Sequence, residues 1–179
     1  MRRLILCCIC CLLVSVLFCA CGRAEPPPSA AELLAVMQTA LTDTAQPLPD
    51  GLTYTRALPP DDRAYLTDPL FSALYGEAAR GLLEETDSAG VPVVGDVALF
   101  LSVAPYPCEL AVFRCSDIRT AATVAGLCRG RLDSVARGFS GSEWEATAGR
   151  GQVAAEGCYV FLVISEDPAA VLARARERV

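Results

Sequence analysis

Hydrophobic positions in the C-terminal half of the chain follow one pattern twice. Each copy has two apolar runs of strand length, then a segment with apolar residues at steps of three and four. Strands are predicted at 96–103, 109–114, 152–156 and 159–165, and helices at 117–138 and from Asp167 onward. The pattern predicts an α+β domain with a β-β-α-β-β-α core, an antiparallel sheet and helices packed on one face.

Two helices are predicted before this core. Ser29 is a candidate N-cap for a helix at 30–41, whose leucines recur at helical spacing. A second helix is predicted at 67–76, with Pro69 in its first turn, where a missing N–H has no cost. The segments between these helices contain proline, glycine and aspartate, which are typical of loops.

The N-terminal segment has the pattern of an export signal. Arg2 and Arg3 precede an apolar run from Leu4 to Ala20, which is short for a spanning helix of about 20 residues. Cys21 follows a small residue and resembles the lipidated cysteine of a bacterial lipobox. We therefore predict a lipoprotein signal peptide at 1–20 and lipidation of Cys21.

Cleavage before Cys21 sets the predicted organisation of the mature chain. Residues 21–29 are expected to be the lipidated cysteine and a proline-rich tether, and residues 30–179 a single extracytoplasmic α+β domain. Two acyl chains such as palmitate supply the two signals that stable membrane anchoring needs. An uncleaved signal anchor or an ordinary cleaved signal is the alternative.

Composition removes several classes of function. The chain has no histidine, and its 15 basic residues are all arginine. These counts exclude Ser-His-Asp and Cys-His nucleophile pairs, His-ligated zinc sites, Walker-type phosphate loops and Schiff-base chemistry. With 21 acidic residues the chain also lacks the basic footprint that nucleic acids require. We expect a protein that is not an enzyme, with no cofactor and no nucleic-acid partner.

Four cysteines fall inside the predicted domain: Cys108, Cys115, Cys128 and Cys158. Cys108 and Cys158 begin two equivalent strands, so a disulfide between them is one hypothesis. Buried free thiols are the other, and Cys128 favours it because it lies on the apolar stripe of its helix. The spacing of the four contains no CxxC pair, and no metal site is predicted.

Three residues are candidate contacts to a partner. Arg129 and Arg131 form a basic patch on an acidic chain, and Trp144 lies in a glycine-serine loop. The partner would be an envelope protein or a wall polymer. A solvated helix face and a tryptophan in the core are the alternatives.

Acidic residues in the predicted loops and at one strand start support a second hypothesis. In this hypothesis the chain is a cell-envelope hydrolase, or its accessory subunit, that uses a pair of carboxylates. The candidates are Asp61, Asp62, Glu84, Glu85, Glu109, Glu143 and Glu145.

Four short motifs carry a family resemblance. They are LYG at 74–76, ELAVFR at 109–114, RGRLDSVARGF at 129–139 and GCYVFLVISED at 157–167. Over roughly residues 33–179 the chain resembles a family of uncharacterised bacterial lipoproteins, domain-of-unknown-function family 4358. The resemblance implies an extracytoplasmic lipoprotein of Gram-positive bacteria and implies no catalytic residue. The four domain cysteines depart from the family pattern.

Together these observations predict a lipoprotein anchored to the cell membrane, on its extracytoplasmic face, with a small binding or interaction domain. They leave its oligomeric state open.

Overall fold

The computed structural model describes residues 26–43, 48–103 and 105–179, so the predicted signal peptide and Cys21 lie outside the described residues. The helices are α1 (Ala30–Asp43), α2 (Asp68–Tyr75), α3 (Ile118–Gly138), α4 (Glu145–Ala148) and α5 (Pro168–Arg176), with a 3-10 turn at Glu77–Ala79. The strands are β1 (Gly51–Thr55), β2 (Val94–Ser102), β3 (Glu109–Cys115), β4 (Gln152–Glu156) and β5 (Tyr159–Ile164). Among the described helices, none is long and apolar enough to cross a membrane.

The five strands form one sheet in the order β1-β2-β3-β5-β4, and every neighbouring pair is antiparallel. Strands β3 and β4 run in the same direction on either side of β5, so α3 crosses over β5. The α+β class is confirmed, and the β-β-α-β-β-α core is present from β2 to α5. The edge strand β1, which is exposed over most of its length, was not predicted.

Helices cover both faces of the sheet, so the prediction that they pack on one face is wrong. Helices α1 and α5 pack with Phe100 and Phe161 on one face. Helices α2 and α3 pack with Phe113 and Leu162 on the other. The physical reason lies in the central strands, because every residue of β5 is buried. A continuous apolar run is typical of a strand covered on both faces.

Side chains that accept backbone N–H groups fix the helix starts, as predicted for Ser29. Ser29 and Glu32 form a reciprocal capping box, in which the Ser29 N–H donates to the Glu32 carboxylate at 2.7 Å. The Asp117 carboxylate accepts the N–H of Thr120 at 2.7 Å at the start of α3. Asp167 does the same for α5. Local capping therefore sets where the core helices begin.

The first described residues are fastened to one end of the sheet. The Tyr159 hydroxyl donates to the carbonyl of Pro28 at 2.8 Å. The N–H of Ala30 donates to the Asp96 carboxylate at 2.7 Å. Asp96 and Tyr159 are both in register with Arg114 of β3, so the two contacts lie at the same end of the sheet. We call it the entry end, because the chain enters α1 there.

The opposite end of the sheet is where Leu101, Glu109 and Ile164 are neighbours in register. Glu109 lies five residue steps along β3 from Arg114 at the entry end. At about 3.4 Å per residue, the two ends are roughly 17 Å apart. The charged and aromatic residues described next lie at this opposite end.

Candidate functional site

A buried carboxylate begins strand β3. Glu109 is 4% exposed, and the guanidinium of Arg131 on α3 holds it. Arg131 Nη2 lies 2.8 Å and Nε 2.9 Å from the same carboxylate oxygen, Oε2. The Tyr75 hydroxyl at the end of α2 donates to the other oxygen at 3.4 Å. Because a buried charge requires a partner of this kind, one carboxylate joins three elements of the fold.

The two partners of Glu109 keep their protons near neutral pH. Burial lowers the pKa of Arg131, but the charge of Glu109 and its hydrogen bond together raise that pKa above its usual value. Burial raises the pKa of Tyr75 well above its usual value, and the neighbouring Glu109 adds to the rise. Arg131 is therefore a fixed cation and Tyr75 a neutral donor.

A cavity of about 120 Å³ lies beside this cluster. Its lining includes Ser102, Tyr106, Arg131 and Phe139, which come from β2, the β2–β3 connection, and α3 with the residue after it. We call it the end cleft. Small-molecule sites usually enclose about 300–1,000 Å³, so the end cleft has room for a single side chain or ring rather than a whole metabolite.

Larger hollows lie elsewhere on the described surface. One of about 590 Å³ lies beside Pro26–Pro28 and Arg178, and another of about 620 Å³ lies beside Asp117 and Thr123. The charged residues that line both are exposed. The end cleft differs from them because a buried ion pair and aromatic side chains converge on it.

Three half-buried aromatic residues, Tyr106, Phe139 and Trp144, form what we call the aromatic rim. Tyr106 and Phe139 line the end cleft, and the Trp144 ring packs edge-on against Tyr106 with centroids 4.8 Å apart. Burial raises the pKa of Tyr106 to about 12, so it stays a neutral donor. Trp144 Nε1 is buried and has no acceptor within the part of the chain that the structure describes. Tyrosine and tryptophan in such a setting are typical of protein interfaces.

Hydrogen bonds hold the β2–β3 connection in place. The Ser102 hydroxyl donates to the carbonyl of Tyr106 and accepts the N–H of Cys108 at 3.2 Å. Tyr106 is thus positioned by strand β2 rather than left on a free loop. Tyr106 was not predicted as a site residue, although an aromatic residue between two prolines in a short connection was a signal for it.

The predicted basic patch of Arg129 and Arg131 does not form, which corrects the sequence interpretation. Residues two apart on a helix do not face each other. Arg129 is exposed, whereas the Arg131 side chain is 21% exposed and forms an ion pair with Glu109. Of the three predicted contacts, Arg131 and Trp144 are brought to the end cleft, and Arg129 is not.

The hypothesis of a disulfide between Cys108 and Cys158 is contradicted by the structure. Both cysteines are free. They precede β3 and β5 respectively, and these strands are antiparallel, so their starts lie at opposite ends of the sheet. The separation is roughly 20 Å, against the 7 Å beyond which two cysteines cannot be bridged. Equivalent starts of neighbouring strands meet only when the strands are parallel.

The alternative of buried free thiols holds for Cys108, Cys115 and Cys128. Burial raises the pKa of Cys108 to about 12 and that of Cys128 well above its usual value. Thiols of this kind are poor nucleophiles at neutral pH. Within residues 26–43, 48–103 and 105–179, no group of three or more Cys, Asp or Glu side chains could hold a metal ion.

Several carboxylates proposed for a hydrolase have structural partners. Glu84 pairs with Arg56 at 2.7 Å, and Asp62 accepts a nearby backbone N–H at 2.8 Å. Glu109 faces a guanidinium instead of a second carboxylate. The arrangement around Glu109 therefore lacks the paired carboxyl groups on which glycoside hydrolysis depends.

Comparison with family models, curated proteins and solved structures finds no match to this chain. The resemblance to domain-of-unknown-function family 4358 therefore stays a prediction.

Proposed function

We propose that this chain is a lipoprotein, anchored through Cys21 on the extracytoplasmic face of the cell membrane, whose domain binds an envelope protein at the end cleft and aromatic rim. The anchor is supported by the basic start, apolar run and small residue before Cys21. The binding role is supported by the geometry of the described residues.

The position of the end cleft carries this proposal. The chain is fastened at Pro28 to the entry end, and Pro28 lies seven residue steps after Cys21. Fully extended, they span at most about 25 Å, which keeps the entry end of an anchored domain within that distance of Cys21. The end cleft lies at the opposite end of the sheet, where it would face away from the membrane and toward other envelope components.

The chemistry of the end cleft favours binding over catalysis. Cys108, which lines it, has its pKa raised to about 12 by burial, and Arg131 is engaged by Glu109. A polypeptide partner fits better than a wall polymer. Trp144 and Tyr106 already contact each other at 85°, so they do not present two parallel ring faces to sugars. A partner side chain, by contrast, matches the volume of the cleft.

Site-specific photocrosslinking in intact cells tests this proposal. A photoreactive residue at exposed Glu143, next to Trp144, is expected to capture a protein that the same residue at Asp61 does not. Asp61 is the matched control, because it is exposed in the connection after β1 and does not line the end cleft. Capture of wall polymer alone at position 143, or of identical proteins at both positions, would contradict the proposal.

The anchor has a separate test. Mass spectrometry of the mature N-terminus is expected to find a diacylglyceryl group on Cys21. A mature chain that begins at another residue would show that the lipoprotein assignment is wrong.

A further inference from the structure

Two cysteines meet at the entry end, where β3 ends and β5 begins. The N–H of Cys115 donates to the carbonyl of Cys158 at 2.8 Å, one step beyond the Arg114–Tyr159 pair of the ladder. Residues opposite each other in an antiparallel ladder have Cα atoms about 4.5–5.5 Å apart. A disulfide accepts Cα separations of about 4.4–6.8 Å. The backbone positions of Cys115 and Cys158 therefore suit a disulfide, whereas those of Cys108 and Cys158 are too far apart.

The two thiols have different surroundings. Cys115 is buried in the core between the sheet and α3, whereas Cys158 is half-buried in the β4–β5 turn. Burial raises the pKa of Cys115 to about 12, and the neighbouring Cys158 thiol contributes to the rise. A reagent in solution therefore reaches Cys158 first, and Cys115 is the slower, inner thiol.

The other two domain cysteines are poorly placed to react with an oxidant or to pair with Cys158. Cys108 lies at the opposite end of the sheet. Cys128 is fully buried on α3, in the same core cluster as Cys115. A disulfide in solution has no direct access to it, and Cys158 is the one of the four that is not buried.

We propose that Cys115 and Cys158 are a redox-sensitive thiol pair that forms a disulfide across β3 and β5 when the chain meets a disulfide oxidant. In the first step the Cys158 thiol loses its proton and attacks the oxidant, which releases one thiolate and leaves a mixed disulfide on Cys158. In the second step deprotonated Cys115 attacks the Cys158 sulfur and releases the second thiolate. The two cysteines lose two protons and two electrons, and the oxidant is reduced to two thiols.

The bond would lock the part of the domain nearest the chain entry. It would close the segment from Cys115 to Cys158, which contains α3, α4 and β4. Cys158 is also adjacent to Tyr159, which holds Pro28. Oxidising compartments outside the cytoplasm favour this state. The chemistry depends on strand register rather than on the anchor, so its failure would leave the proposed function untouched.

Trypsin provides a direct assay, because it cleaves after arginine and separates the four domain cysteines into four peptides. Residues 81–114 carry Cys108, 115–119 carry Cys115, 120–129 carry Cys128 and 151–174 carry Cys158. The reduced full chain is incubated with glutathione disulfide, alkylated, digested without reductant and analysed by mass spectrometry. Peptide 115–119 is expected linked to 151–174, at the summed mass less two hydrogen atoms, after a transient glutathione adduct on Cys158.

Two variants and one condition serve as controls. Cys158→Ser is expected to abolish the link and leave Cys115 free, whereas Cys108→Ser leaves the link unchanged. Oxidation in denaturant is expected to remove the preference for this pair, since the strand register is then lost. The proposal is overturned if all four domain thiols are alkylated, if the link joins any other two domain cysteines, such as Cys115 and Cys128, if the adduct never resolves, or if the preference persists in denaturant.

Discussion

Single side chains at the starts of the core helices account for much of the local order of this fold. Asp117 lies two residues after the end of β3 and accepts the N–H of Thr120 at 2.7 Å. That hydrogen bond is the main reason why the pKa of Asp117 lies below its usual value of 3.8. A carboxyl group with a lowered pKa in the folded state stabilises the fold when it is ionised, and the contribution is lost as pH falls through the folded pKa.

Replacement of this cap should therefore have an effect that depends on pH. Asp117→Ala is expected to lower the Tm of the chain by about 2–4 °C at pH 7, because an N–H of α3 loses its acceptor. The difference should shrink as pH falls below 3.8, where the parent carboxylate also becomes protonated. Thermal unfolding followed by circular dichroism measures both. Asp133→Ala, exposed in the middle of the same helix, is the control. An equal loss at every pH would rule out the charged cap as the cause.

At the scale of elements, the ion pair between Glu109 and Arg131 connects β3 to α3, and Tyr75 adds α2. The strand and core-helix predictions agree with the structure to within about two residues, since hydrophobic period and capping are local properties. These local properties do not predict which face of the sheet each helix covers. The apolar run of β5 requires cover on both faces but does not say which helix supplies it.

Replacing one partner of this ion pair should lower the free energy of unfolding more than replacing both partners. Arg131→Met is expected to lower the free energy of unfolding by about 3–5 kcal/mol, because the buried Glu109 carboxylate then loses its countercharge and keeps only the Tyr75 hydroxyl as a partner. The double variant Glu109→Leu/Arg131→Met should recover most of that loss, since an apolar pair replaces two buried charges. Urea unfolding monitored by circular dichroism gives these values.

Arg129→Met is the matched control for this prediction. It removes an exposed arginine two positions away on the same helix and should change stability by less than about 0.5 kcal/mol. The assignment of Glu109 as a buried charge fails if Arg131→Met costs no more than this control.

At the scale of the whole molecule, the two ends of the sheet have different roles in the proposed function. The entry end holds Pro28 and the pair Cys115 and Cys158, and the opposite end holds the end cleft. Trp144, the single tryptophan of the chain, belongs to the aromatic rim at that opposite end. It is therefore a natural probe of how an anchored domain is oriented.

This orientation can be measured by fluorescence quenching. The lipidated chain in vesicles whose headgroups carry nitroxide quenchers is expected to show little quenching of Trp144. A tryptophan placed at exposed Ala155, near the entry end, in a Trp144→Phe background should be quenched more strongly. The same two proteins without lipid attachment serve as controls and should show no difference. Stronger quenching of Trp144 than of the residue at 155 would place the end cleft against the membrane.

The amino-acid sequence by itself determined the α+β class, the core elements, the Ser29 cap of α1 and the chemistries excluded by the lack of histidine and lysine. Each of these depends on composition or on residues within a few positions of one another. Only the tertiary structure decided that helices cover both faces, that Arg131 binds Glu109, and that Cys158 lies beside Cys115 instead of Cys108. These outcomes depend on the antiparallel register of β3 and β5, which pairs residues far apart in the chain and reverses which strand ends meet.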